Sequence, residues 1–429
     1  MFLLNLGYRW GSGFSLDVDG YVINPSGINK EQAARRDNLD LTDTQCLLFD
    51  PQMYLSILDG AVHSRTCENL ATYPWFGVET PTFNSSEMNT RDWMSQVREQ
   101  VNWHPVIPTD ENNIRNVIRE CVEFQKEFGA THLIVPTPLV DNDDDEFGTQ
   151  LKWLNAAADL KGRFSQPMFA TVAISDYLLS ARDPHENPLL QTILDNISVS
   201  DFEGAYVVVL QADAPRVRIT SKRIAQSLLF MSRVIQRSSK AVFINYADDL
   251  GHACIAAGAT GFASGTSFKS RRLCLSDFED RTGGSTFPRL YSHSLIGDFS
   301  MEDLGQIRDE RLLRYIGSDA TPIAEPLYAA LKARGSAHDV PAWRPSKNNV
   351  TAANKHRVML MAQKARELVQ LDETAQLNSV LHWLQEAEAH GRLLASRFSD
   401  NPLDEDGTHV EVWGKAFQIH LDTVEPNFI

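Results

Sequence analysis

The sequence has few cysteines and none of the short motifs that mark common metal, nucleotide or hydrolase sites. Five cysteines in 429 residues are scattered, odd in number and form no C-x-x-C pair: Cys46, Cys67, Cys121, Cys254 and Cys274. This pattern predicts reduced thiols in a packed core rather than a disulfide framework. No H-x-H, H-E-x-x-H, Walker-type or G-x-S-x-G sequence occurs, so we expect no metal and no cofactor.

Basic charge is also scarce. Lys and Arg number 40 against 56 Asp and Glu, which gives a formal net charge of −16 and a pI near 5.2. Because affinity for nucleic acids depends on neutralising phosphates with basic side chains, general nucleic-acid binding is not expected. No run approaches the roughly 18 apolar residues of a membrane span, and Met1–Gly7 lacks the basic segment of a signal peptide. We therefore expect a cytoplasmic protein that does not contact membranes.

The stretch from 205 to 265 alternates between two hydrophobic patterns. The runs 205–211, 241–246 and 260–264 are almost continuously apolar and β-branched or aromatic, which predicts buried strands. Between them, 220–237 and 249–257 carry apolar residues at helical spacing. Strands that alternate with helices pair in parallel, and continuous apolar strands indicate a sheet covered on both faces.

The same alternation over most of the chain predicts a (β/α)8 barrel similar to the TIM barrel. The other barrel strands are predicted at 46–50, 70–77, 131–135, 167–173 and 288–292. Before them, 2–6 and 21–24 are predicted to form an N-terminal hairpin. An open doubly wound sheet is the alternative, although no G-x-G-x-x-G follows the first strand.

The pattern changes towards the C-terminus. The predicted units are a barrel with its N-terminal hairpin, a linker and a C-terminal region, at 1–335, 336–351 and 352–429. Two long helical patterns predict a helical hairpin, and alternation over 408–422 predicts a terminal β-hairpin. If the apolar stripes of 352–398 do not pack on the barrel, they form an interface with a second copy or another protein.

Polar residues at the carboxyl ends of predicted strands are the catalytic candidates, because barrel active sites form there. Asp50 ends an apolar strand, where a carboxylate is costly unless it is paired or acts as an acid or base. Glu79 is a candidate second carboxylate for chemistry at a glycosidic carbon. Asn245 is an orienting amide, and His293 a proton donor or orienting group.

The substrate-binding candidates fall into two groups. Gln211, Tyr246, Ser264 and Tyr291 lie at or just after strand ends. The segment after the predicted strand 260–264 carries hydroxyl and cationic groups suited to an anion: Ser267, Lys269, Arg271 and Arg272. Loops late in a barrel often bind phosphate, although a solvated basic loop would have the same composition.

Two hypotheses follow. The first is a barrel enzyme that binds an anionic, phosphate-bearing sugar or nucleotide-like substrate and transfers or hydrolyses a glycosyl or ribosyl group with carboxylate acid/base chemistry. The second is a catalytically inert barrel that acts as a scaffold subunit through its C-terminal helices. Fold alone does not separate them.

Overall fold

The computed structural model describes residues 1–6, 17–34, 45–78, 103–105, 107–141, 144–212, 218–280, 286–316, 319, 321–405 and 407–425. Within this part of the chain, one sheet contains eight parallel strands. They are β1 (Phe2–Leu6), β2 (Gly20–Ile23), β3 (Cys46–Phe49), β4 (Leu133–Ile134), β5 (Met168–Ser175), β6 (Gly204–Leu210), β7 (Ala241–Ile244) and β8 (Gly261–Ser264).

The sheet closes almost completely into a barrel. Its strand order is β3-β2-β1-β8-β7-β6-β5-β4. The two ends of this order meet where Thr131 N–H donates to Leu47 O and Leu47 N–H donates to Thr131 Oγ1, each at 2.9 Å. The predicted (β/α)8 barrel is thus confirmed, and the open sheet is not observed.

The barrel begins earlier in the chain than predicted. The prediction of an N-terminal hairpin is wrong, because β1 pairs in parallel with both β2 and β8 and belongs to the barrel wall. The predicted strand at 70–77 is also wrong. A helix, Ser64–Ala71, and a 3-10 turn, Pro74–Phe76, occupy that stretch, and Pro74 stands at the first position of the turn, where its missing N–H is tolerated.

The predicted last barrel strand lies outside the barrel. β9 (Arg289–Ser292) pairs antiparallel with β10 (Gly297–Ser300) in a separate two-stranded sheet. The apolar pattern correctly indicated a strand, but a single strand pattern does not reveal which strand it pairs with. Strands β1 and β2 complete the eight instead.

Helices alternate with the barrel strands and continue after them. In chain order they are α1 (Lys30–Ala34), α2 (Ser64–Ala71), α3 (Glu111–Phe128), α4 (Asp144–Ala158), α5 (Asp176–Ser180), α6 (Pro188–Val199), α7 (Lys222–Arg237), α8 (Leu250–Ala256), α9 (Phe268–Arg271), α10 (Met301–Asp309), α11 (Glu325–Lys332), α12 (Thr351–Val369), α13 (Glu373–Arg397) and α14 (Thr408–Val424).

The C-terminal helices form part of the layer around the barrel. The two long helices predicted after the linker are α12 and α13, and α12 packs on α8 and β1. The prediction of a terminal β-hairpin at 408–422 is wrong, because α14 occupies that stretch and packs along α7. Its buried residues Val410, Trp413, Phe417 and Leu421 recur every three or four positions, which is a helical period. Among the described helices, none is long and apolar enough to cross a membrane.

Candidate functional site

The carboxyl ends of neighbouring strands place a set of polar side chains inside the barrel. Asn5 of β1 is in register with Val22 of β2, which is in register with Leu48 of β3. Residues two positions apart on a strand face the same side, so Asn24 and Asp50, just after β2 and β3, face the same side as Asn5. All three side chains are buried.

Asp50 lies at the centre of this set and is completely buried. Its Oδ2 accepts hydrogen bonds from Tyr54 OH at 2.5 Å, Tyr206 OH at 2.9 Å and Asn245 Nδ2 at 3.1 Å. Its Oδ1 accepts from Gln52 N–H at 3.0 Å. We call these five residues the Asp50 cluster. Strands β3, β6 and β7 each contribute to it.

Two more side chains join the Asp50 cluster to its surroundings. Asn5 Nδ2 donates to Asn245 Oδ1 at 2.6 Å, which links β1 to β7. Gln52 Nε2 donates to Tyr246 OH at 2.9 Å. The predicted candidates Asp50, Asn245 and Tyr246 are therefore held in one hydrogen-bonded network.

Compared with water, the environment of Asp50 shifts the protonation equilibrium of its carboxyl towards the neutral form. Burial raises the pKa of its carboxyl from 3.8 to about 6, although the hydrogen bonds from Tyr54, Gln52, Tyr206 and Asn245 oppose that rise. A carboxyl with a pKa near 6 exchanges a proton readily close to neutral pH, which is the property that a general acid or base requires.

The backbone around the cluster is strained at three non-glycine residues. Gln52, Tyr246 and Asp248 have φ values of 51°, 59° and 46°, in the left-handed region. Each such residue costs of the order of 1–3 kcal/mol, and such strain concentrates at functional sites. Gln52 and Tyr246 belong to the network around Asp50.

Two buried amide oxygens beside the cluster lack a partner. Asn5 Oδ1 and Asn24 Oδ1 accept no hydrogen bond from the residues that the structure describes. A buried acceptor without a donor is costly, and it calls for a bound water or a ligand group.

Residues 265–280 cross the mouth of the barrel, and we call them the strap. Ser270 O accepts from Asn5 Nδ2 at 2.9 Å, Leu273 pairs with Leu210 at the end of β6, and Phe278 O accepts from Thr66 Oγ1 at 3.3 Å. The strap therefore runs from β8 across β1 and β6 to α2. It covers the end of the barrel at which Asp50 lies.

A second buried cluster lies after β7 and is rich in charge. We call it the arginine cluster, and it comprises Asp248, Asp249, Asp298, Glu405, Arg218, Arg271 and Arg357. Arg357 of α12 donates to Asp248 at 2.6 Å, Arg271 of the strap donates to Asp298 of β10 at 2.8 Å, and Arg218 donates to Glu405 at 2.6 Å. These pairs join the barrel to the C-terminal region.

The arginines reverse the effect of burial on the carboxylates. Burial alone would raise the pKa of Asp249, but Arg357, Arg218 and Arg271 hold it below its ordinary value. Burial also acts to raise the pKa of Asp298, and the same three cations hold it well below the ordinary value. Ser264 contacts this cluster rather than Asp50, because its Oγ donates to Asp248 at 3.3 Å.

The residues of the predicted anion clamp bind groups of the protein itself. Arg271 pairs with Asp248 and Asp298, and Arg272 pairs with Asp277 at 2.7 Å. Lys269 lies over the ring of Phe278, with Nζ 5.5 Å from its centre. The hydroxyl of Ser267 lies 2.9 Å from that of Ser270. Gln211, at the end of β6, is buried, and its backbone N–H donates to Leu273 O of the strap at 2.8 Å.

His293 and Tyr291 are separated from the Asp50 cluster. Tyr291 OH donates to Asp249 of the arginine cluster and lies 3.2 Å from His293 Nδ1. His293 stacks on Trp383 of α13 and lines a cavity bounded by α12 and α13. Glu79 lies outside the described residues. The predicted catalytic set is thus divided between two places.

The sequence analysis missed Asn5, Asn24, Tyr54 and Tyr206. Each stands in or next to an apolar run, where an isolated polar residue gives a weak signal. Once β1 and β2 are assigned to the barrel, the two-residue periodicity identifies Asn5 and Asn24, and the same periodicity in β6 places Tyr206 inside. Tyr54 is found only through its contact with Asp50.

Among the described residues, no group of three or more His, Cys, Asp and Glu side chains has the arrangement of a metal site. A comparison of the sequence with protein-family models gave no match, and a search of curated protein sequences gave no significant match.

Proposed function

We propose that the protein is a barrel enzyme in which Asp50 acts as general acid and base. The observation that carries the proposal is the Asp50 cluster itself. A completely buried carboxyl, with no cation among its described contacts, is held at the carboxyl end of a barrel strand by donors from other strands. Its pKa of about 6 keeps both protonation states accessible near neutral pH.

The substrate that best fits this site is rich in hydroxyl groups. Asn5 Oδ1 and Asn24 Oδ1 are buried acceptors that can bind substrate hydroxyls. Gln52 Nε2 donates one of its two hydrogens to Tyr246 OH and can donate the other to a ring or hydroxyl oxygen. Sugars and ribosides carry such groups at close spacing. We therefore propose glycosyl or ribosyl transfer or hydrolysis, with Asp50 moving the proton.

Two parts of the sequence hypothesis have less support. Arg271 and Arg272 hydrogen-bond to carboxylates of the chain, so a substrate phosphate would have to compete with Asp248, Asp298 and Asp277. The apolar stripes of α12 and α13 pack within the chain, with Leu377, Val380 and Leu384 buried, which weakens the scaffold alternative.

The proposal requires the strap to move during turnover. Asp50 has no exposed surface while residues 265–280 lie over the mouth. Lids that open and close over a catalytic residue exclude water from the reaction, and their motion often limits the rate.

The test is a screen of glycosides and nucleosides for cleavage or group transfer, with products identified by mass spectrometry. We expect at least one substrate to be turned over by the wild-type protein and Asp50→Asn to lower that rate by about 10²- to 10⁴-fold. Asp183→Asn is the control, because Asp183 pairs with Arg223 at a half-exposed position. An equal rate in Asp50→Asn, or no turnover across the screen, would contradict the proposal.

A further inference from the structure

A cavity lies beside the barrel, between the C-terminal helices and the segment that follows β9. Its volume is about 480 Å³, within the range of about 300–1,000 Å³ typical of small-molecule sites. His293, Trp383, Tyr315 and His390 line it, with Leu368 and Val380 as part of its apolar wall. The Asp50 cluster does not contribute to this lining.

Hydrogen bonding determines which nitrogen of His293 carries the proton. Tyr291 OH donates its only hydrogen to Asp249 Oδ1. The contact of 3.2 Å between the Tyr291 hydroxyl oxygen and His293 Nδ1 is then a hydrogen bond donated by Nδ1–H. Nε2 of the neutral ring therefore carries a lone pair, and among the described residues no donor is bonded to it.

Aromatic rings hold His293 in place. Its ring stacks on Trp383 with centroids 4.6 Å apart and an interplanar angle of 13°, and Trp383 Nε1–H donates to His293 O at 2.7 Å. His252 meets His293 edge to face at 5.1 Å. Farther along the lining, Tyr315 and His390 form a second aromatic pair at 4.8 Å. The cavity thus offers flat apolar surfaces beside the fixed, neutral ring of His293.

The charges around the cavity disfavour an ionic ligand next to His293. Burial, the neighbouring His252, and the cations Lys364 and Arg357 keep the pKa of His293 well below its ordinary value, against an opposing effect of Asp249. A cation bound at Nε2 would meet those same positive charges. An anion has no hydrogen to donate to the lone pair. The cavity lining carries charges of both signs, and its Lys364 is already paired with Glu367 at 2.8 Å.

We propose that this cavity binds a neutral, flat heteroaromatic ring that donates an N–H hydrogen bond to Nε2 of His293 and packs against the aromatic lining. The chemistry is that of an uncharged nitrogen heterocycle such as a nucleobase or an indole. The site is distinct from the Asp50 cluster, and the inference does not depend on the proposed reaction.

The test compares two probes that differ in one hydrogen, indole and 1-methylindole, by titrating the full-length protein with 15N-labelled histidine. We expect indole to shift the Nε2 resonance of His293 and 1-methylindole to bind about 5- to 100-fold more weakly, because its nitrogen has no hydrogen to donate to Nε2. Equal affinities for the two probes, or no binding of either, would overturn the proposal.

A pair of variants sharpens the result. His293→Phe keeps a ring against Trp383 but removes the lone pair, and we expect it to abolish the preference for indole. His338→Ala, which changes an exposed histidine outside the cavity lining, should retain that preference. A preference that survives in His293→Phe would also overturn the proposal, and the comparison of probes on the wild-type protein holds even if this variant fails to fold.

Discussion

The Asp50 cluster and the arginine cluster are both buried at the carboxyl end of the barrel, yet they shift the pKa of a carboxyl group in opposite directions. Asp50 and Asp249 are each completely buried. The described donors to Asp50 are hydroxyl and amide groups, and the pKa of Asp50 rises to about 6. Asp249 is surrounded by Arg357, Arg218 and Arg271, and its pKa falls. Whether a cation accompanies the buried carboxylate decides the direction of the shift.

The two clusters therefore suit different tasks. A carboxylate held among arginines stays ionised at neutral pH and joins segments of the chain. Here the arginine cluster connects residues of β10, α12 and the strap to the loop after β7. A carboxylate held by neutral donors can gain and lose a proton. This difference gives the arginine cluster a structural role, and it is the reason why we propose a chemical role for the Asp50 cluster.

The largest effect is expected from breaking the arginine cluster. Arg357→Met removes a cation that pairs with Asp248, Asp249 and Asp298, which leaves buried carboxylates under-compensated. We expect the free energy of unfolding, measured by urea denaturation, to fall by about 3–5 kcal/mol.

Arg366→Met is the matched control for that experiment. Arg366 also lies on α12 and pairs with Asp17 and Asp19, but its side chain is 34% exposed. A surface pair contributes only about 0–1 kcal/mol. Similar losses in the two variants would show that burial of the arginine cluster has no special consequence.

The next effect is the dependence of stability on pH, which should have opposite signs in the two clusters. The pKa of Asp50 is raised in the folded protein, so ionising this carboxyl lowers the free energy of unfolding. That destabilisation is absent below about pH 4 and complete above about pH 6. A rise from 3.8 to about 6 corresponds to about 3 kcal/mol. We expect wild-type protein to lose stability relative to Asp50→Asn as the pH rises through that window.

Asp249 should show the reverse behaviour. Because its pKa is lowered by folding, its contribution to stability is present above about pH 4 and is lost as the pH falls further. Unfolding free energies of wild type, Asp50→Asn and Asp249→Asn at several pH values test both signs. Parallel curves for the two variants would refute the contrast between the clusters.

A smaller effect is expected from Tyr206→Phe. The change removes a donor to Asp50 and an acceptor for Asn245 Nδ2. We expect the pKa of Asp50 to rise further, as followed by carboxylate 13C NMR, with a loss of about 1 kcal/mol in stability. Tyr328→Phe removes a buried hydroxyl that donates to Ile316 O outside the cluster, so it should lower stability without moving that pKa.

The smallest effect concerns phosphate. Arg271 and Arg272 already pair with carboxylates, so millimolar inorganic phosphate should leave the melting temperature unchanged relative to sodium chloride at equal ionic strength. A ligand that binds the folded state raises its apparent stability. A concentration-dependent rise in melting temperature would return the strap to the anion-binding role inferred from its composition.

Local sequence patterns predict the type of most barrel elements. They do not predict which elements pair or pack together when these lie far apart in the sequence. The run 205–211 predicts a strand because a short, continuous run of apolar and β-branched residues is typical of a buried strand. The run 2–6 also has the pattern of a strand, but composition does not identify its partners β2 and β8, so the sequence predicts a hairpin instead. Around 408–422 the helical and alternating periods compete over a short stretch, and packing on α7 determined the helix.

The candidate site shows the same division. Asp50, Asn245 and Tyr246 lie in one hydrogen-bonded network because the carboxyl ends of parallel strands face one side of a barrel, and their role in a site stays a prediction. Arg271 and Arg272 looked like anion ligands because their acidic partners are not identifiable from the sequence. The sequence predicts His293 at the barrel mouth because β9 has the pattern of a barrel strand, although it pairs with β10 in a separate sheet.

The sequence by itself determined the alternation of strands and helices and the polar residues at strand ends, since these depend on neighbours a few positions apart. Only the tertiary structure decided which charges neutralise one another and which carboxyl stays without a cation. The reason is physical: a contact such as that between Asn5 and Asn245 joins residues 240 positions apart. No local pattern encodes the distance between such side chains, and that distance determines both the pKa of a buried acid and the space left for a ligand.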